Sequence, residues 1–218
     1  MSAVVAMAVF VGSHVVIART QLRPMLIARF GKRTYLILYS TVSVLLLAWV
    51  IGTVLAADRI LLWTAPGWSP TVAALGTLGA FILIGIGTVA PNPLSVAFRK
   101  DDFDPVRPGA IGWVRHPLIL GFALWGLAHV PANGEWPDLV LFAGSAVFGV
   151  VGATIVDRRR KRQIGQEEWR RLTSGRGHLD QRTFVGAALG LVSWAIFLWI
   201  HPVLFNVDPL AALVAGTG

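Results

Sequence analysis

The sequence predicts an all-α, polytopic integral membrane bundle of about six transmembrane helices with both termini outside. Three observations carry this expectation. Six apolar runs reach or approach the ~20 residues that a helix needs to cross a ~30 Å hydrocarbon core. Only 14% of the residues are charged and 55% are apolar, with a mean hydropathy of +0.67, whereas a soluble domain is about one quarter charged. The basic residues, finally, gather in short blocks between the runs and on one side of them. Residues 1–218 read as a single transmembrane domain.

The first run is Met1 to Ala18. No basic residue precedes it and no small-x-small cleavage pattern follows, so it reads as a retained span rather than a signal peptide. RTQLRPMLIARFGKR comes next, a short basic amphipathic segment suited to the anionic inner leaflet. Thr34 to Ala56 and Thr71 to Ala90 form the second and third spans. The fourth, Ile111 to Val130, is interrupted by Arg115, His116 and Pro117, which leave a short apolar remainder. Asp138 to Val156 is the fifth, and DRRRKRQIGQEEWRRL continues it into the cytoplasm, with Glu167 and Arg171 spaced to pair at i, i+4. Phe184 to Phe205 is the sixth.

Orientation follows from the loops. Arg19 to Arg33 carries five basic residues, Arg99 to Arg115 four and Arg158 to Arg182 nine, which leaves Arg59 on the other side. Excess Lys and Arg mark the cytoplasmic side, so these three loops face inwards. Trp63, Trp68, Trp136 and Trp199 then lie near the outer boundary, as an aromatic belt requires.

Composition also narrows the chemistry. The formal charge of +8 is spread over topology-setting blocks rather than one nucleic-acid-binding face. There is no cysteine, which removes disulfides, thiolate nucleophiles, iron–sulfur clusters and covalently attached c-type haem. H-E-x-x-H, G-x-S-x-G, Gly-rich phosphate loops and carboxylate pairs within a span are all missing.

What remains are histidines at membrane depth, where ionisable groups are expensive and usually functional. His14 falls in the inner half of the first span, His116 at the inner mouth of the fourth, and His129 and His201 towards the outer ends of the fourth and sixth. His178 falls in a basic loop and reads as a solvated residue. On one continuous helix the thirteen residues between His116 and His129 turn through roughly 220°, so the two imidazoles face different places. Paired imidazoles from different helices suit a b-type haem in a bundle. Trp125 and Gly126 lie within a turn of His129, where an aromatic ring could line a macrocycle and a small residue admit it. Depth pairs His129 with His201, or His14 with His116; an inner site has Arg19 and Arg115 for the propionates, an outer one Arg59.

Taken in order, FVGSH, RPMLIARFGKRTYLILYSTVS, LLWTAPGW, RHPLILGFALWGLAHVPANGEW and HPVLFNVDPL resemble the NnrU family of bacterial membrane proteins over nearly the whole chain. The resemblance implies a role in denitrification, in nitrite and nitric oxide reduction. That family is similar to 15-cis-zeta-carotene isomerase, a haem b membrane protein, which implies redox-linked cis–trans isomerisation of an isoprenoid as the alternative to that role. The relative's two implicated haem ligands, an early histidine and the one in a C-L-A-H motif, match His14 and His129. Gly126 stands in the cysteine's place, so no ligand switch through a thiolate is open to this chain. Straight spans put His14 and His129 about 15 to 20 Å apart along the membrane normal, so the resemblance and the depth estimate favour different pairs.

Two other classes compete. Arg115, His116, Pro117 and Gly121, followed by Glu167 and Glu168, resemble the S-adenosylmethionine site of isoprenylcysteine and phospholipid methyltransferases, with Ile119 where that pattern has tyrosine. A non-enzymatic accessory factor for a respiratory or nitrogen-oxide reductase would also need no more than a haem pocket in a bundle.

Overall fold

The computed structural model describes residues 2–215. The described residues form α1 (Ser2–Arg19), α2 (Leu22–Phe30), α3 (Lys32–Leu55), α4 (Ser69–Val89), α5 (Pro117–His129), α6 (Trp136–Ile164), α7 (Gln166–Leu172), α8 (Gln181–Phe205) and α9 (Pro209–Ala215). They contain no strand, only an isolated bridge between Leu61 and Glu135. Two compact units divide the chain, one of Met1–Thr64 with Gly134–Gly144 and one of Ala65–Asn133 with Ser145–Gly218.

In the first unit α1 packs on α3. Ala3, Ala6, Met7 and Phe10 are buried on α1, the i, i+3, i+4, i+7 stripe of one helix face. Between α1 and α2 the chain bends by 73°, and Gly31, at φ +80, separates α2 from α3. At the other end of α3, the amides of Leu62 and Trp63 both donate to the Gly134 carbonyl and the Trp136 amide donates to that of Ile60. A Cβ on Gly134 would overlap the Trp63 carbonyl. Arg59 closes this corner, 2.7 Å from Glu135 and 3.1 Å from Asp138. Partial burial acts to lower its pKa, but the two carboxylates outweigh that and hold it above its ordinary value.

The second unit is organised on α4, which packs against both α5 and α8. Small residues make this close approach possible. Gly186 and Gly190 of α8, a G-x-x-x-G pair, face Gly85 of α4 so closely that a Cβ on any of the three would overlap backbone. Trp194 of α8 donates its indole N–H to the Thr77 hydroxyl of α4 at 3.1 Å. Ile86, Ala90, Ala110 and Ile111 form a small core below them, with Ile82 and Phe103 against it. The Asp180 side chain caps α8 by accepting from the Thr183 amide at 2.8 Å and from the Thr183 hydroxyl.

Outward faces are apolar, with Val44 and Leu45 of α3 and Trp199 and Val203 of α8 exposed. Such surfaces belong in lipid rather than water, and α3, α4, α6 and α8 are each long and apolar enough to cross a bilayer. The expected second, third, fifth and sixth spans are therefore present as continuous helices. The first is the bent α1–α2 pair, which qualifies only if its two helices are taken as one span.

The fourth differs from expectation. Residues 109–112 form a 3₁₀ turn, and the α-helix begins only at Pro117. Proline lacks an N–H and is suited to the first helical position, and it pushes the residue before it out of the αR region; His116 accordingly sits at φ −123, ψ 58. The thirteen helical residues of α5 cover ~20 Å, short of a ~30 Å core. His116 thus precedes the helix that carries His129, rather than sharing it. The cytoplasmic extension of the fifth span also differs in detail. It runs as helix to Ile164 and breaks at Gly165, φ +84, and Arg171 pairs with Glu168 rather than Glu167, through bonds of 2.7 and 2.6 Å.

Candidate functional site

Three of the four candidate histidines share one arrangement. His14 Nδ1 is 2.8 Å from the Phe10 carbonyl, His129 Nδ1 is 2.8 Å from the Trp125 carbonyl, and His201 Nδ1 is 2.9 Å from the Val207 carbonyl. A carbonyl only accepts, so each ring carries its proton on Nδ1 and its lone pair on Nε2. That is the tautomer of a metal-ligating histidine, whose second nitrogen is held by a carbonyl or carboxylate. Such a ring would meet an iron porphyrin through Nε2. Rings pack on each imidazole: Phe10 and Tyr39 on His14, Trp125 on His129 and Phe205 on His201.

The units divide the candidates. His14 belongs to the first, where Ser43 Oγ comes within 3.4 Å of its Nε2; that approach is long, and the Ser43 hydroxyl already donates to the Tyr39 carbonyl at 2.8 Å. His129 and His201 both belong to the second unit. Among the described residues, no three His, Cys, Asp or Glu side chains converge as a metal-ion cluster.

His116 is different, because both of its ring nitrogens are engaged. Nδ1 is 2.7 Å from Ser95 Oγ and Nε2 is 2.8 Å from Asp157 Oδ1. Histidine and serine are 4% and 6% exposed. Arg115 Nε is 3.1 Å from the same Asp157 oxygen, and the Arg115 guanidinium lies over the Trp169 ring, 5.2 Å from its centroid. Buried Asn92 ties the backbone together, donating to the Arg115 carbonyl at 2.8 Å and accepting from the Leu94 amide at 3.0 Å. Reading the sequence missed Asn92, Ser95 and Asp157. Ser95 is 21 positions before His116 and Asp157 is 41 after it, and no motif links them. The one available signal was Asp157 itself, an acid at the end of an apolar run.

The remaining candidates have identifiable surroundings. Arg19 ends α1 and is exposed. Arg115 is committed to Asp157 and Trp169 as described. Trp125 stacks on Phe122, and Gly126 is buried in α5. A Cβ on Gly121 would press on Ala80 and Ile84 of α4, so this glycine serves helix packing. Arg115 and Trp169 do bring α7 beside the R-H-P segment, but Glu168 is turned to Arg171, whose hydrogen bond holds its pKa below the usual value. A cleft of about 110 Å³ lies here, lined by Leu94, Phe103, Ile111, Trp113, Arg115 and Thr173 among others. It is well below the roughly 300–1,000 Å³ of ordinary small-molecule sites.

A model of one protein family, described as NnrU protein, matches residues 3–209. No curated protein and no solved structure matches the chain.

Proposed function

The chain belongs to the NnrU family, and from that premise we propose that it is a haem b-binding protein of the bacterial inner membrane acting in nitrite and nitric oxide reduction. The observation that carries the haem reading is the shared tautomer of His14, His129 and His201, each with Nδ1 at a main-chain carbonyl. His129 would hold the haem iron through Nε2. His201, in the same unit, would be the second ligand; His14, which the family resemblance favours, is the alternative. His116 is excluded as a ligand because Ser95 and Asp157 occupy both of its nitrogens.

Each residue has a defined task. The Trp125 and Val207 carbonyls fix the two rings and raise the basicity of the opposite nitrogens. Trp125 and Phe205 pack against the two imidazoles at tilted angles. Haem b, when bound, supplies reversible one-electron exchange in an apolar setting. The role that follows is to pass electrons to a nitrogen-oxide reductase, with the three basic loops in the cytoplasm.

The test is an absorption spectrum of protein expressed with excess haem precursor and purified in mild detergent, air-oxidised and then reduced with dithionite. A Soret band with sharp reduced α and β bands is expected. It should be lost in His129→Ala, lost or shifted in His201→Ala and retained in His116→Gln. Colourless protein made with haem demonstrably available would overturn the reading, and loss of the bands in His14→Ala but not in His201→Ala would reassign the second ligand.

A further inference from the structure

The Ser95–His116–Asp157 array takes no part in haem binding, and its polarity is fixed by chemistry. An ionised carboxylate only accepts hydrogen bonds, so Asp157 requires the imidazole proton on Nε2, 2.8 Å away. The lone pair is then on Nδ1, and the 2.7 Å contact with Ser95 Oγ can be made only by the serine donating. A serine O–H aimed at an imidazole that a carboxylate orients is the arrangement of an activated nucleophile. The ring is turned relative to the familiar triad, with Nδ1 towards serine, but a histidine base works through either nitrogen.

The surroundings hold this geometry rigid. Pro117 fixes the backbone after His116. Asn92 bonds the Arg115 carbonyl and the Leu94 amide, the neighbours of His116 and Ser95. Arg115 Nε stands 3.1 Å from the Asp157 oxygen that meets His116. On the other side of Ser95, Val96 and Phe98 are 58% and 78% exposed, so the segment bearing the hydroxyl offers apolar side chains outward. Leu94 and Arg115, one residue before Ser95 and His116, line the neighbouring cleft together with Phe103, Ile111 and Trp113.

We propose that Ser95, His116 and Asp157 form a second reactive site, with Ser95 Oγ the nucleophile towards the carboxylic ester of an acyl-chain amphiphile. Ser95 Oγ bonds to the acyl carbon while its proton passes to His116 Nδ1. The ester C–O bond breaks and the leaving oxygen takes that proton and departs as the alcohol. Water then adds to the acyl carbon, giving a proton to His116 Nδ1, and Ser95 Oγ leaves with that proton, releasing the carboxylic acid. Asp157 orients the ring and stabilises its charged form throughout. Because Ser95 is 6% exposed, the site favours a slim reactive group carried on an apolar chain.

The test uses the full chain in mild detergent, incubated with a long-chain alkyl fluorophosphonate, with the adduct mapped by peptide mass spectrometry. Ser95 Oγ should displace fluoride and carry the phosphonyl group. His116→Gln should slow labelling about 10²-fold, the contribution of a general base, and p-nitrophenyl acyl ester hydrolysis should fall in parallel. Ser95→Ala should remove both. Monodisperse wild-type protein without an adduct at Ser95 overturns the proposal, a result that needs no variant to fold. Labelling at Ser95 at a rate unchanged by His116→Gln overturns it equally. Haem-free and haem-loaded protein should label alike, so failure here is distinct from failure of the haem reading.

Discussion

Replacing Gly85 by alanine should drive α4 and α8 apart. The new Cβ would overlap the Gly186 carbonyl and stand 2.7 Å from the Gly190 amide nitrogen and 3.0 Å from its Cα. All three are backbone atoms of α8, and none can rotate aside, so the clash is relieved only by separating the helices. The Trp194–Thr77 hydrogen bond, now 3.1 Å, leaves hydrogen-bonding range after stretching by about 0.5 Å. Overpacking costs roughly 1–3 kcal/mol and an interhelical hydrogen bond in a membrane protein about 0.6, offset by about 0.8–1 from the better helix propensity of alanine. The net loss is ~0.6–2.8 kcal/mol, or about 3- to 100-fold in the folding equilibrium. Equilibrium unfolding in mixed micelles of rising SDS fraction, followed by tryptophan fluorescence, would measure it. Gly52→Ala is the control, because a Cβ there meets nothing within 4 Å; it should be neutral or stabilising by up to ~1 kcal/mol. The reasoning is refuted if Gly85→Ala is as stable as wild type, or if Gly52→Ala loses as much. Since α5 and α8 both pack on α4, Gly85→Ala should also weaken haem retention at His129 and His201.

Two further outcomes follow from the polar caps, beside the spectroscopic one already described. Burial acts to raise the pKa of Asp180, but the Thr183 hydrogen bonds and the charges of His178 and Arg182 hold it below its ordinary value. Its contribution to stability is therefore complete above the unfolded value of about 3.9 and is lost as pH falls through the lower folded value. Asp180→Asn keeps the cap but not the titration, so its unfolding midpoint should change less than that of wild type between pH 5 and pH 3, in the same micelle assay. Arg59→Ala should cost ~1 kcal/mol or less, since the Arg59 and Glu135 side chains are 41% and 32% exposed. A double-mutant cycle with Glu135→Gln should give a coupling that shrinks with added salt.

Hydropathy made the long spans legible because lipid leaves a helix little choice. α3, α4 and α8 begin and end within about three residues of the expected runs. The fourth run misled because its apolar content hid a backbone constraint: Pro117 could only open a helix, so Ile111 to His116 had to be something else. The Glu167 expectation failed because Glu168, at i, i+3 on the same short helix, takes Arg171 in its place. The G-x-x-x-G of Gly186 and Gly190 stood in the sequence and was readable, though its partner Gly85 was not. The triad was illegible for a different reason. Ser95 and Asp157 are ordinary residue types whose meaning arises only when the chain brings them to the two nitrogens of one ring.

Those two nitrogens also separate roles that the residue type alone leaves merged. A histidine whose Nδ1 is held by a carbonyl directs one lone pair at whatever lies beyond Nε2, and His129 is of this kind. A histidine held by a carboxylate and a hydroxyl has no lone pair left to direct, and its remaining capacity is to move a proton between its partners; His116 is of that kind. The two bracket α5, one just before Pro117 and the other at its last residue, so the helix rise of ~20 Å keeps them from sharing a ligand. They do share a support, since α5 lies against α4 through Gly76, Gly79 and Gly87. A bulky residue at Gly87, where Leu118 is packed, should disturb the His116 end first, and one at Gly76, against Ala128, the His129 end. Acyl-ester labelling and the haem spectrum would then respond to different substitutions along one helix pair, whereas a single shared site would lose both together.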